Sequence, residues 1–194
     1  MEETKIKGEE YLVNIINVCM EKQKLASFYF NKEDNCAHLT GFIHAYNDNE
    51  LLIAHITPRG EYDGFVLNKM TNLYRVDYDG NYEKKIQQLY KLKKQSHPIV
   101  QCNKDEIFVS LLKFACENEY LITLELENDS VTGYVDEYED FISLQVLDEN
   151  GGKNGKCIID IDEVVTFSCD TDYEQDLKIL NYAQKYSKKV SGIS

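Results

Sequence analysis

A chain of 194 residues has room for one large domain or two small ones. Its 43% hydrophobic content can build a core, and 28% charged residues with only two prolines argue against disorder. No apolar run approaches the ~18 residues of a membrane helix, no apolar stretch follows the first charges as in a secretory signal, and a net charge of −13 repels phosphate backbones at long range. The charge is uneven. Residues 1–97 carry 13 Lys/Arg against 14 Asp/Glu, whereas residues 98–194 carry 8 against 20.

In chain order, Tyr11, Leu12, Ile15, Ile16, Val18 and Cys19 recur at helical spacing and predict an amphipathic helix. Its end falls near Lys22 and Lys24, cations that suit a helix C-terminus. Residues 25–30 read as a first strand, 31–35 as a polar turn, 37–46 as a second strand and 51–56 as a third. Gly41 lies inside the second strand, where glycine is costly unless the strand bends or another backbone comes close. After a loop from Thr57 to Gly64, residues 65–69 and 73–77 read as short strands joined by one turn at 70–72. The stretch Asp79 to Asn81 offers N-caps for a helix bearing Tyr82, Ile86, Leu89 and Tyr90. Residues 95–104 lack periodicity, and a linker is assigned to 97–104.

The second half repeats this order. Ile107, Phe108, Leu111, Leu112 and Phe114 line a helix, and strands follow through Leu147. Residues 148–155 form a loop, 157–160 and 164–167 the last strands, and Tyr173, Leu177 and Leu180 an apolar stripe on a closing helix. A frayed tail is expected over 188–194. Residues 10–30 align with 106–126 without a gap, Leu39-Thr40-Gly41 with Val131-Thr132-Gly133, and Asp79 to Glu83 with Asp170 to Glu174. Two similar domains are therefore expected, at 1–96 and 105–194. The expected class is mainly β with flanking helices (α+β).

A helix and then five short strands, with glycine in the second, resembles the Sm-like fold of Sm, LSm and Hfq proteins. The resemblance implies two tandem Sm-like, SH3-type small barrels, each helix–β5–helix. In the second copy, Gly133 and the run from Tyr138 to Leu144 follow the first Sm motif, and residues 159–164 fall at the second. The Asn of the family's base pocket is replaced by Ser143 and, in the first copy, Leu51; its Arg is replaced by Asp160 and Lys69. The resemblance thus implies the frame without the uridine pocket. The family's edge-to-edge strand pairing needs only unpaired backbone.

Other candidate residues are weaker. Cys36, His38, His44 and His55 carry metal-ligating atoms, and strand parity puts the first three on one face if no bulge intervenes. The second copy has no such set, so no metal is expected. Asp136, Glu137, Glu139 and Asp140 read as a solvated acidic turn. Six cysteines without CxxC spacing read as free thiols. Nothing pairs a nucleophile with a base or builds a phosphate loop. These readings lead to a non-enzymatic, cytoplasmic binding or adaptor protein, with no cofactor and no membrane. Its partner is expected to be a protein, or a second copy through barrel edge strands. The alternative is an RNA-associated role in which Lys69, Arg75, Lys84 and Lys85 meet single-stranded RNA.

Overall fold

The computed structural model describes residues 2–34 and 36–190, with side chains from residue 10 to residue 186. The chain divides into the units Met1–Ile99 and Val100–Ser194, so the division falls inside the stretch read as a linker. Ten strands and four helices are present among the described residues, and every strand pair within a unit is antiparallel.

In the first unit, helix α1 (Glu2–Glu21) precedes strands β1 (Ala26–Tyr29), β2 (Leu39–Tyr46), β3 (Glu50–Ile56), β4 (Tyr62–Lys69) and β5 (Arg75–Tyr78). Helix α2 (Asn81–Leu92) closes it. The strands lie in the order β5-β1-β2-β3-β4. The expected single turn between the last two strands is a 3-10 turn, Met70–Asn72. The apolar spacing of α1 buries Ile16 and Cys19 against Ala26, Phe28, Ile43, Leu51 and Ile53. Tyr11, predicted on that face, is 64% exposed, because the buried face is the narrower one through Ile16 and Cys19.

The second unit repeats the plan with α3 (Ile107–Glu117), β6 (Ile122–Glu125), β7 (Ser130–Tyr138), β8 (Phe141–Leu147), β9 (Lys153–Asp160), β10 (Thr166–Cys169) and α4 (Asp172–Val190). Its strand order, β10-β6-β7-β8-β9, is that of the first unit position for position. A 3-10 turn, Ile161–Glu163, again joins the last two strands. Strand β9 takes in residues that the sequence reading left in the 148–155 loop. The final residues 191–194, part of the expected frayed tail, lie outside the described residues. The stripe expected on α4 is corrected: Leu177 is buried, but Tyr173 is 55% and Leu180 44% exposed. The buried neighbours of Leu177 on that helix are polar, Glu174 and Asn181.

The strand glycines are explained by close approach. A Cβ on Gly41 would strike the carbonyl oxygen of Ala54, and one on Gly133 the carbonyl oxygen of Gln145. Just beyond each glycine the ladder slips, between Ile43 and Ala45 and between Val135 and Glu137. These bulges fall at His44 and Asp136 and bend the strand. The register also corrects one alignment. Leu52 pairs with Leu67 as Ser143 pairs with Ile158, so Leu52 rather than Leu51 stands where the second unit has Ser143.

Candidate functional site

Two of the four cations proposed for RNA contact stand beside carboxylates of their own unit. Lys69 ends β4 and is paired across the ladder with Glu50. Arg75 is forked onto its strand neighbour Asp77, through Nε at 2.8 Å and a terminal nitrogen at 2.6 Å. It also lies over the Tyr29 ring, 4.4 Å from the centroid. The Arg75 partnership holds the Asp77 carboxyl below the usual range. Lys84 and Lys85 are exposed on α2.

The metal-capable set is dispersed as well. The bulge at His44 breaks the parity that would have aligned it with Cys36 and His38. His38 Nδ1 turns to the Cys36 carbonyl at 2.9 Å, His44 meets the Phe65 ring edge-on, and His55 Nδ1 sits 2.9 Å from Asp63 Oδ2. Among the described residues, no group of three His, Cys, Asp or Glu side chains is placed to hold an ion. The six cysteines are free thiols.

Two places draw functional side chains together. The first is the outer edge of the second unit. Strand β9 pairs with β8 and, among the described residues, with no other strand. Its outer ladder groups are therefore unpaired backbone. Phe141 on β8 is 54% exposed and Ile158 on β9 is 73% exposed. Both line a groove of about 610 Å³ whose rim is the acidic turn, Asp136 to Asp140. Lys156 on β9 ion-pairs with Asp136, and both remain solvent-facing.

The second is a cleft in the first unit, walled by the end of α1, β2, α2 and residues 95–99. Here the sequence reading missed a central residue. His97, assigned to the linker, packs into the unit. Its Nε2 lies 2.8 Å from the His55 carbonyl oxygen, which can only accept, so Nε2 carries the proton. Nδ1 then accepts from the Tyr90 hydroxyl at 2.8 Å. The rings of Tyr62, Phe65 and Tyr90 surround it, with centroids 4.6, 5.4 and 5.8 Å away. Burial lowers the His97 pKa to about 4, so the ring is neutral at physiological pH. Gln95 adds a second tie, its Oε1 accepting from the Tyr62 amide at 3.0 Å. A segment held by single side chains leaves no periodic signal, which is why residues 95–98 read as linker.

A buried link between a closing-helix carboxyl and a first-strand hydroxyl recurs in both units. Thr171 and Glu174 have the spacing of a helix capping box, and the structure shows its carboxylate half: the Thr171 amide donates to Glu174 Oε2 at 2.7 Å and the Thr171 hydroxyl donates to the same oxygen at 2.5 Å. The other carboxylate oxygen accepts from the Thr123 hydroxyl at 2.5 Å, and Thr123 is 2.9 Å from Thr132. In the first unit Glu83 accepts from Ser27 at 2.8 Å, and Ser27 is 3.2 Å from Thr40. There the cap of α2 is Gly80, within the stretch Asp79 to Asn81 expected to supply it, and it makes no side-chain cap hydrogen bond. Asp79 instead takes a left-handed φ of 60° and ion-pairs with Lys24. The equivalent Asp170 has φ 57°.

Among the described residues no helix is long and apolar enough to cross a membrane. No known protein family, curated protein or solved structure matches the chain.

Proposed function

We propose that this is a non-enzymatic cytoplasmic binding protein, built of two tandem Sm-like small barrels, that docks a protein partner along the free edge of β9. One observation carries the reading. Strand β9 offers an unpaired ladder edge beside two large exposed apolar side chains, Phe141 and Ile158. Edge strands left open in this way accept a further strand, with backbone hydrogen bonds giving affinity and side-chain pockets giving selectivity. The barrel part of the proposal is supported by a leading helix, five antiparallel strands and a close-packed glycine in the second strand, twice over. Six free thiols suit a reducing compartment. The test is affinity capture from native extract, comparing the wild-type chain with the Phe141→Asp/Ile158→Asp double variant. The proposal expects a protein retained by the first and lost from the second; equal retention by both overturns it.

A second reading, an RNA-associated role, draws on the exposure of Lys84 and Lys85 at the start of α2. It has less support, because Arg75 is committed to Asp77 and Lys69 faces Glu50.

A further inference from the structure

The cleft around His97 has a composition that the rest of the chain does not lead one to expect. Of 194 residues, 34 are Asp or Glu. None of the sixteen that line this cleft is acidic, while Lys22, Lys91, His44 and His97 are among them. Lys22 and Lys91 are both exposed, and neither takes part in an ion pair within 4 Å among the described residues. The cavity measures about 800 Å³, a volume that suits a small organic molecule. Its wall is preformed: Phe42 and Tyr90 meet edge to face at 5.6 Å, and Tyr90 is fixed by His97. Met20 and Ile99 add apolar surface, 37% and 75% exposed.

The second unit provides an internal control. Its corresponding cavity is smaller, about 340 Å³, and is lined by Glu119 and Tyr182. In the alignment of the two units these replace Gln23 and Lys91, and Asn118 replaces Lys22. The second cavity therefore lacks the counterparts of Lys22 and Lys91 and gains a carboxylate; its one lining cation, Lys185, lies over the Tyr134 and Tyr182 rings.

We propose that the first-unit cleft binds a small organic anion with an aromatic body, its ring system against Phe42 and Met20 and its charge between Lys22 and Lys91. The charge complementarity is local, since the chain as a whole repels anions. A carbon skeleton without charge gains only the apolar part of the site, and an inorganic anion only the two solvated lysines. The two parts act together on an aromatic carboxylate or sulfonate. This site is independent of the β9 edge.

The probe is 8-anilinonaphthalene-1-sulfonate, titrated into the intact folded chain by calorimetry and fluorescence. One probe per chain is expected. Lys22→Glu/Lys91→Glu should weaken it on the order of ten-fold, the loss of a charge-assisted contact. The uncharged N-phenyl-1-naphthylamine should bind weaker by a similar factor. Both substituted lysines are exposed, so the variant keeps the fold, and thermal denaturation checks this. All four histidines lie in the first unit, so histidine ring NMR signals give a second readout of the place. His97 and His44 should shift on probe addition. Absence of binding, equal affinity for the uncharged ring system, equal affinity in the double variant, or binding that leaves both histidine signals unmoved would each overturn the assignment.

Discussion

Glu83 and Glu174 occupy the same place in the two units. Each carboxylate is buried on the closing helix and accepts from a hydroxyl of the first strand, Ser27 at 2.8 Å and Thr123 at 2.5 Å. Each hydroxyl in turn meets a threonine of the second strand, Thr40 or Thr132. The closing helix of each unit is thus keyed to its sheet by a buried, hydrogen-bonded carboxyl group in a defined register, which apolar packing alone does not fix.

Glu174→Ala should cost about 1–3 kcal/mol, leaving the Thr123 hydroxyl and the Thr171 amide without their acceptor. Urea denaturation measures this. Burial raises the Glu174 carboxyl pKa above its ordinary value, against the lowering effect of the Thr123 and Thr171 hydrogen bonds. The folded chain therefore holds this proton more tightly than the unfolded chain. That contribution is fully present below the ordinary carboxylate pKa and lost as pH rises through the raised value. The stability advantage of wild type over Glu174→Gln should accordingly shrink as pH rises above the ordinary carboxylate pKa of about 4.3.

His97 has the opposite sign. Its folded pKa is depressed to about 4, first by burial. The neutral ring stabilises the fold fully above the unfolded histidine pKa of about 6.5, and this is lost as pH falls towards 4. The upper limit is about 3 kcal/mol from linkage. Wild type should lose stability on acidification through this window, and His97→Gln should lose less. Parallel slopes for the two proteins would contradict the placement of the ring.

Gly133→Ala should destabilise the second unit by about 1–3 kcal/mol, because its methyl group meets the Gln145 backbone carbonyl and neither chain can yield without shifting the ladder. Gly41→Ala should do the same in the first unit against Ala54. Circular dichroism melts of the two variants are the measurement. Unchanged melting would mean that the strands are further apart than described.

Element order was legible because both halves present the same periodicities, and the 3-10 turns at Met70–Asn72 and Ile161–Glu163 fall where the strand patterns break. The bulge at His44 was not legible, since period-two alternation carries no mark for an added residue. Nor was the polar buried face of α4: Glu174 and Asn181 look like solvent positions until Thr123 and the Gly151 carbonyl are brought to them. The candidate site divided the same way. Lys69 stands at the position of the family's Arg, and Arg75, Lys84 and Lys85 stand out by charge, but neither signal reveals that Asp77 meets Arg75 in a fork. His97 lay in a stretch whose only signal was its lack of pattern.

Against uridine-rich or adenine-rich single strands, binding at physiological salt should be weaker than about 1 μM, with the excess of acid in the second unit opposing approach. Filter binding over a salt series tests this. Submicromolar binding whose salt slope falls when Lys69, Arg75, Lys84 and Lys85 are neutralised would favour the RNA reading.

The central claim is that a protein partner extends the ladder at β9. Amide hydrogen exchange across residues 153–160, with the captured partner and without it, tests this most directly. Pairing of the outer edge should slow exchange in β9 by about ten-fold or more, while the already paired amides of β6 change little. Unchanged exchange in β9, with protection appearing on α2 instead, would contradict it.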